Sequence, residues 1–301
     1  MTPSVRWLAL ACLLVLAAPA YAQQAFPTPE AAAEAFVAAL GTRTADEARL
    51  AAILGPQWEQ AIPRGSVDRE DVDAFLERYR EKHAFQKIDA THQSLAVGND
   101  AWTLPVPLVK SANGWTFDLK AGEPEIRARR IGRNEREAEQ AVLAYHDAQM
   151  DYASVDRNGN GILEYAQQFT STDGRHDGLY WDDDDGGEES PLGPLFGDET
   201  PQGEWHGYRF RILTAQGPSA PGGAYDYRLG DAMSRGFALV AWPARYGDSG
   251  VMTFMISHEG DIFEKDLGPD GDRLARAMTK FDPDSSWKEV EDTTTAAASD
   301  R

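Results

Sequence analysis

The chain has 301 residues, 42% of them hydrophobic, and a formal net charge of −20, a length sufficient for one large domain or two ordinary ones. Acidity on this scale, with no basic stripe anywhere in the sequence, argues against nucleic acid and anionic membrane surfaces as partners. The single cysteine, Cys12, rules out an internal disulfide framework.

Residues 1–22 place Arg6 before an apolar run from Trp7 to Ala18, then Pro19 and the small-x-small triplet Ala20-Tyr21-Ala22. This is the pattern of a cleavable secretory signal peptide, with cleavage expected after Ala22. The apolar run is shorter than the roughly 18–20 residues a membrane anchor needs, so no integral membrane segment is expected after cleavage. The reading predicts a periplasmic or secreted protein. Once Cys12 has left with the signal, its core must be held by packing or bound ions.

In the next stretch, 23–122, Thr28 before Pro29 and Glu30 is a good helix start, and Gly41 breaks the run before a second helical segment. DREDVDAFLERYREKH reads as a further helix, with Val72, Phe75, Leu76 and Tyr79 at helical spacing. Strand-like runs follow in SLAVG, AWTLPVPLV and GWTFDLK, with Pro105 and Pro107 placing the middle one at an edge or bulge. Helices before a short antiparallel sheet make a small α+β domain, similar to cystatin-like or nuclear-transport-factor-like domains.

Residues 123–290 open with the longest helical pattern in the chain. Ala138, Val142, Tyr145, Gln149 and Tyr152 fall on one face, with Ala141 and Ala148 beside them. Asn134 reads as an N-cap, and Arg129, Arg130 and Arg133 near the helix start call for carboxylate partners elsewhere, because that end of a helix prefers anions. From 170 to 205 the composition turns to Gly, Asp and Pro and predicts an irregular loop, pinned by Tyr180, Trp181, Leu192, Leu195 and Phe196. GYRFRILTA, GFALVAWPARYG, GVMTFMISHEG and DIFEKDLG then read as strands of an antiparallel sheet. The last residues, 291–301, are polar and read as a disordered tail.

Two resemblances attach to these segments. WTFDLKAGEPEIRARRIGRNE, YHDAQMDYA, DGLYW, SPLGP, GYRFRILTAQGPSAPGGAYDY, GFALVAWPARYGDSGVMTFMISHEGDIFEKDLG and FDPDSSW closely resemble an exported bacterial family known only as domain-of-unknown-function family 2950. That family implies no reaction and no catalytic residues. More weakly, Asn134-Glu135, Ala148-Gln149, Tyr152-Ala153, Asp177-Gly178, Gly207-Tyr208-Arg209-Phe210 and Ala241-Trp242-Pro243 before Gly250 and Gly260 resemble the soluble parts of type IV pilin-like proteins. The likeness implies a helix packed on an antiparallel sheet. A cleavable signal in place of a prepilin site opposes a filament subunit and leaves an assembly accessory as the pilin-like role.

The stretch SVDRNGNGILEYAQQF, 154–169, carries the clearest chemical signal. An EF-type calcium loop takes oxygens from positions 1, 3 and 5, a carbonyl at 7, position 9 and a bidentate Glu at 12, with Gly at 6 for the bend. Asp156, Asn158, Asn160, Gly161, Ile162 and Glu164 fill all but the last, where Gln167 stands. The acidic run at 182–185, or Glu188 and Glu189, could complete the set. The same Asn and Gly residues also simply close a turn after a helix, and acidic runs are commonly solvated loops. The candidate catalytic set is His146, His176, Asp177 and His206, in which a His with a carboxylate would serve as general base or three His would hold zinc. No HExxH, GxSxG or cysteine nucleophile accompanies it. Tyr180, Trp181, Trp205, Tyr208, Tyr225, Tyr227, Trp242 and Tyr246 suit either a sheet core or a surface for sugars and proteins. The sequence therefore predicts a non-enzymatic cell-envelope binding or interaction protein. Its partner would be an envelope protein or glycan and its one candidate cofactor Ca2+; the alternative is a periplasmic hydrolase using the His and Asp set.

Overall fold

Thr28 caps the first helix as the sequence suggests: its hydroxyl accepts the Ala31 amide at 3.2 Å, and Pro29 takes the first helical position, where a missing N–H costs nothing. The computed structural model describes residues 23–64, 66–182, 187, 189–192 and 204–291. The signal-like segment, Asp183 to Asp185, Glu188, Leu195, Phe196 and the tail beyond 291 lie outside the described residues. The chain is mixed α+β and divides into two units, Met1–Ile126 and Arg127–Arg301.

The first unit carries α1 (Pro29–Leu40), α2 (Glu47–Leu54), the short α3 (Trp58–Ala61) and α4 (Arg69–Glu81). After them come β1 (His83–Lys87), β2 (His92–Val97), β3 (Trp102–Thr103), β4 (Leu108–Ser111) and β5 (Gly114–Phe117). These pair antiparallel in the order β1-β2-β4-β5, with β3 also on β2. Ala32, Phe36 and Ala39 from α1 meet Leu50, Ile53 and Leu54 from α2 and Leu108, Trp115 and Phe117 from the sheet. The Phe36 and Phe117 rings lie 5.3 Å apart. The predicted AWTLPVPLV strand is split between β3 and β4 around Pro105 and Pro107, because proline cannot donate to a ladder.

Helix α5 (Leu119–Tyr152) starts earlier than its periodicity suggests, and the boundary between the units falls within it. Asn134 is therefore not an N-cap. It lies mid-helix and buried, and its Nδ2 donates to the Ser249 carbonyl at 2.8 Å. The earlier start is possible because Asp118 Oδ1 accepts the Ala121 amide at 2.9 Å, and because Gly122 has no Cβ to strike the Pro105 carbonyl, which would lie 2.5 Å away. The predicted stripe is otherwise as expected: Ala138, Val142, Tyr145 and Gln149 are completely buried. Arg130 finds its carboxylate in Asp248.

The second unit continues with β6 (Glu204–Trp205), β7 (Tyr208–Leu213), β8 (Ala215–Gln216), β9 (Tyr225–Asp226), β10 (Ala238–Pro243), β11 (Met252–Ser257), β12 (Ile262–Asp266), α6 (Gly271–Ala277) and β13 (Lys288–Glu289). Six of these strands form an antiparallel sheet in the order β13-β12-β11-β10-β7-β6, while β8 and β9 pair separately. β10, ALVAWP, is buried along its whole length, as a central strand covered on both faces must be. Arg209 and Trp242 stand opposite each other in register and both bond Asp272 of α6, so α6 covers that face. Tyr208, one residue on and therefore on the other face, lies near Glu135 and Glu139 of α5. Glu135 also accepts the Val251 and Met252 amides at 2.9 and 3.0 Å, tying α5 to the start of β11.

Candidate functional site

The segment after α5 is built from one repeated device, a side-chain oxygen accepting a backbone amide two to five residues ahead. Asp156 Oδ1 takes Asn160 N at 3.1 Å and Asp156 Oδ2 takes Gly161 N at 2.8 Å. Asn158 Oδ1 also takes Asn160 N, at 3.1 Å, and Asn160 Oδ1 takes Ile162 N at 2.8 Å. Gly159 and Gly161 have φ of 71° and 83°, the left-handed backbone that lets the chain bend this tightly.

The loop closes on Glu164, which is 7% exposed. Asn158 Nδ2 donates to Glu164 Oε1 at 2.5 Å, and Asn160 Nδ2 donates to the same oxygen. Asp156, Asn158, Asn160 and Glu164 are thus linked into one small polar cluster. The two ends of an amide are nearly isosteric, so turning each Asn group over would present two oxygens to Glu164 in place of two N–H donors, at the cost of the bonds that Asn158 Oδ1 and Asn160 Oδ1 accept from the Asn160 and Ile162 amides. Such an arrangement is favourable only with a cation between them, and hard cations of the calcium type take carboxylate, amide and peptide oxygens together. Position 12 does not take part: Gln167 Nε2 donates to the Asp231 carbonyl at 2.7 Å, bracing the loop exit. Arg157 at position 2 turns away, with Nη2 3.0 Å from Asp151. The loop offers two carboxylates, and among the described residues no three His, Cys, Asp or Glu side chains gather to hold a metal.

Each residue of the proposed catalytic set has its own neighbours. His146 packs on Phe237, with ring centroids 5.5 Å apart, and its Nδ1 lies 3.3 Å from Asp147. His176 stacks on Trp181 at 4.2 Å, and its carbonyl accepts the Tyr152 hydroxyl. Burial opposes ionisation of Asp177, yet hydrogen bonds from Thr172 and Gln168 outweigh it and hold the carboxyl below its ordinary value. His206 is a turn residue: with φ of 46°, followed by Gly207 at 74°, it closes the two-residue hairpin between β6 and β7. Among the described residues no hydrogen bond or ion pair joins any two of the three histidines.

His258, at the end of the run GVMTFMISHEG that the sequence reads as a strand, is also drawn against the aromatic core. Its Nε2 lies 3.3 Å from the Tyr225 hydroxyl, its ring is edge-on to Tyr227, and its buried Nδ1 has no hydrogen-bond partner among the described residues. Its single polar cue, the Ser257-His258-Glu259 sequence, is indistinguishable from a strand end. Of the aromatic set, Trp181, Tyr208, Tyr227 and Trp242 are core residues, while Tyr246 is exposed. Among the described residues no helix is long and apolar enough to cross a membrane.

A family model described as a protein of unknown function (DUF2950) matches residues 23–290. No curated protein and no solved structure matches the chain, so the pilin-like likeness finds no counterpart there.

Proposed function

The chain belongs to the DUF2950 family, and we propose that it is an exported, non-enzymatic binding or interaction module of the cell envelope whose 156–164 loop takes calcium. The observation that carries this reading is the closure of Asn158 and Asn160 on the buried Glu164, in a turn whose Asn160 and Gly161 amides are held by Asp156. Export rests on the signal-peptide pattern of residues 1–22, and the bias against catalysis on the separate surroundings of His146, His176 and His206. An envelope protein or glycan is the partner class, in keeping with a strongly acidic chain that has no use for nucleic acid.

The cation would be held by the Asp156 and Glu164 carboxylates, the Asn158 and Asn160 amide oxygens and the Ile162 carbonyl. Two carboxylates place such a loop with weak extracellular modules, at a Kd of about 10⁻⁴–10⁻³ M. For a Kd of about 0.5 mM, calcium at about 5 mM stabilises the folded state by about 1.4 kcal/mol. In a unit of this size that raises Tm by about 3–6 °C. The test is a thermal melt of the chain from residue 23 in EDTA and in calcium, paired with Asp156→Ala. A calcium-dependent rise that disappears in the variant supports the reading. Equal melting in both solutions returns the loop to a plain turn.

A further inference from the structure

In the first unit, the turn into α3 and the first turn of α5 enclose an open cleft of about 480 Å³. Its apolar lining comes from Leu54 and Leu119, and Trp58 contributes to its wall. Trp58 is half-buried because it also packs against the Phe36 and Phe117 core, which fixes the indole in place. Around it stand Gln57, Gln60 and Lys120, all exposed, whose side chains bond to nothing among the described residues; the exposed carboxylate of Glu123 adds acceptors to the rim. A rigid aromatic over an apolar base, ringed by a few uncommitted polar groups, is the make-up of a ligand site.

The kind of polar group narrows the ligand. Two neutral amides each offer both donors and an acceptor, and the lysine ammonium adds three donors. That inventory matches closely spaced hydroxyls, which both donate and accept, while the C–H face of a sugar ring matches the flat indole. A purely apolar ligand would use the indole and the leucines alone and leave the amides to water, gaining nothing from them. We propose that this cleft is a saccharide-binding site, with Trp58 stacked on one sugar ring and Gln57, Gln60 and Lys120 bonding its oxygens. The inference rests on the reading of the chain as a binding module and names the ligand class.

The test is a titration of the 15N-labelled chain from residue 23, in EDTA, with triacetylchitotriose and separately with a short oligouronate. The Trp58 indole signal is identified by its absence in Trp58→Phe. Saturable movement of that signal with either sugar is the expected result, the two arms showing whether Lys120 or Glu123 sets the preference for an acidic or a neutral ring. The double change Gln57→Ala with Gln60→Ala, on exposed side chains, should weaken binding by about tenfold or more. A Trp58 signal unmoved by both sugars, or movement confined to other indoles, overturns the proposal. Because the titration contains no calcium, its failure is independent of the calcium melt.

Discussion

Replacing Gln149 by Leu tests whether the loop is tied to α5 as its hydrogen bonds indicate. Gln149 is completely buried; its Oε1 accepts the Ala166 amide at 2.8 Å, and its Nε2 donates to the Ala166 carbonyl at 2.8 Å and the Tyr145 hydroxyl at 2.9 Å. Leucine fills a similar volume, so the packing change is small, but it strands both backbone groups of Ala166, itself 2% exposed. Each buried group left unpaired costs about 1–3 kcal/mol, so the variant should lose about 2–6 kcal/mol. Tyr145 keeps its bond to the Ala238 carbonyl and adds little to the loss. Urea denaturation followed by tryptophan fluorescence reads this as a lower midpoint at unchanged slope. A change within about 0.5 kcal/mol, the scale of an ordinary surface substitution, refutes the assignment. Because Ala166 lies two residues beyond Glu164, the same variant should also show a smaller calcium-dependent rise in Tm.

Two further expectations concern the same unit. Asp272 is held down to about 2, first by its hydrogen bond from Arg276 and then by Trp242 and Arg209. A depressed carboxyl contributes stability above its unfolded value of about 3.9 and loses it as pH falls through about 2. At 45% side-chain exposure the contribution is screened to no more than about 1 kcal/mol. Between pH 5 and pH 2 the urea midpoint should fall further in the native chain than in Asp272→Asn, since the contribution of other depressed carboxyls such as Asp177 is lost from both; equal losses would contradict the network. Gly161→Ala meets no atom within 4 Å but must hold φ of 83°, so its cost of about 1–2 kcal/mol is backbone strain alone. Denaturation in EDTA measures it, and a cost near zero would mean that the loop does not hold this bend in solution.

What could be read from the sequence was whatever repeats with a period. The α5 stripe from Ala138 to Tyr152 and the unbroken apolar run of β10 announce themselves because burial selects residues at 3.6-residue spacing, or all along a central strand. The start of α5 was hidden because Gly122 and Pro124 look like a break. Gly122 is there for close approach to Pro105, and Pro124 falls early enough in the helix to be accommodated. β1 was missed because it is an exposed edge that follows α4 without a turn, with no alternation of burial to betray it. α6 is seven residues long and is held by Asp272, which pairs with Arg209 of β7 and with Arg276 one turn along the same helix, so no long apolar stripe marks it. At the candidate site, the Asp156 to Glu164 spacing was legible because loop geometry is local. The use of Gln167 to brace Asp231 was not, because that bond joins positions far apart in the chain. His146 was misleading for the same reason, because its neighbour Phe237 is far away in the chain, whereas His176 and His206 pack on the nearby Trp181 and Trp205, local contacts that residue type alone does not announce.

The central claim, a cation held between Asp156 and Glu164, is met most directly by calorimetric titration of calcium into the chain from residue 23 and into its Asp156→Ala variant. The account predicts one site, with a Kd of about 10⁻⁴–10⁻³ M, present in the parent and lost in the variant. Identical heats from the two proteins would place any calcium elsewhere on the acidic surface and contradict it.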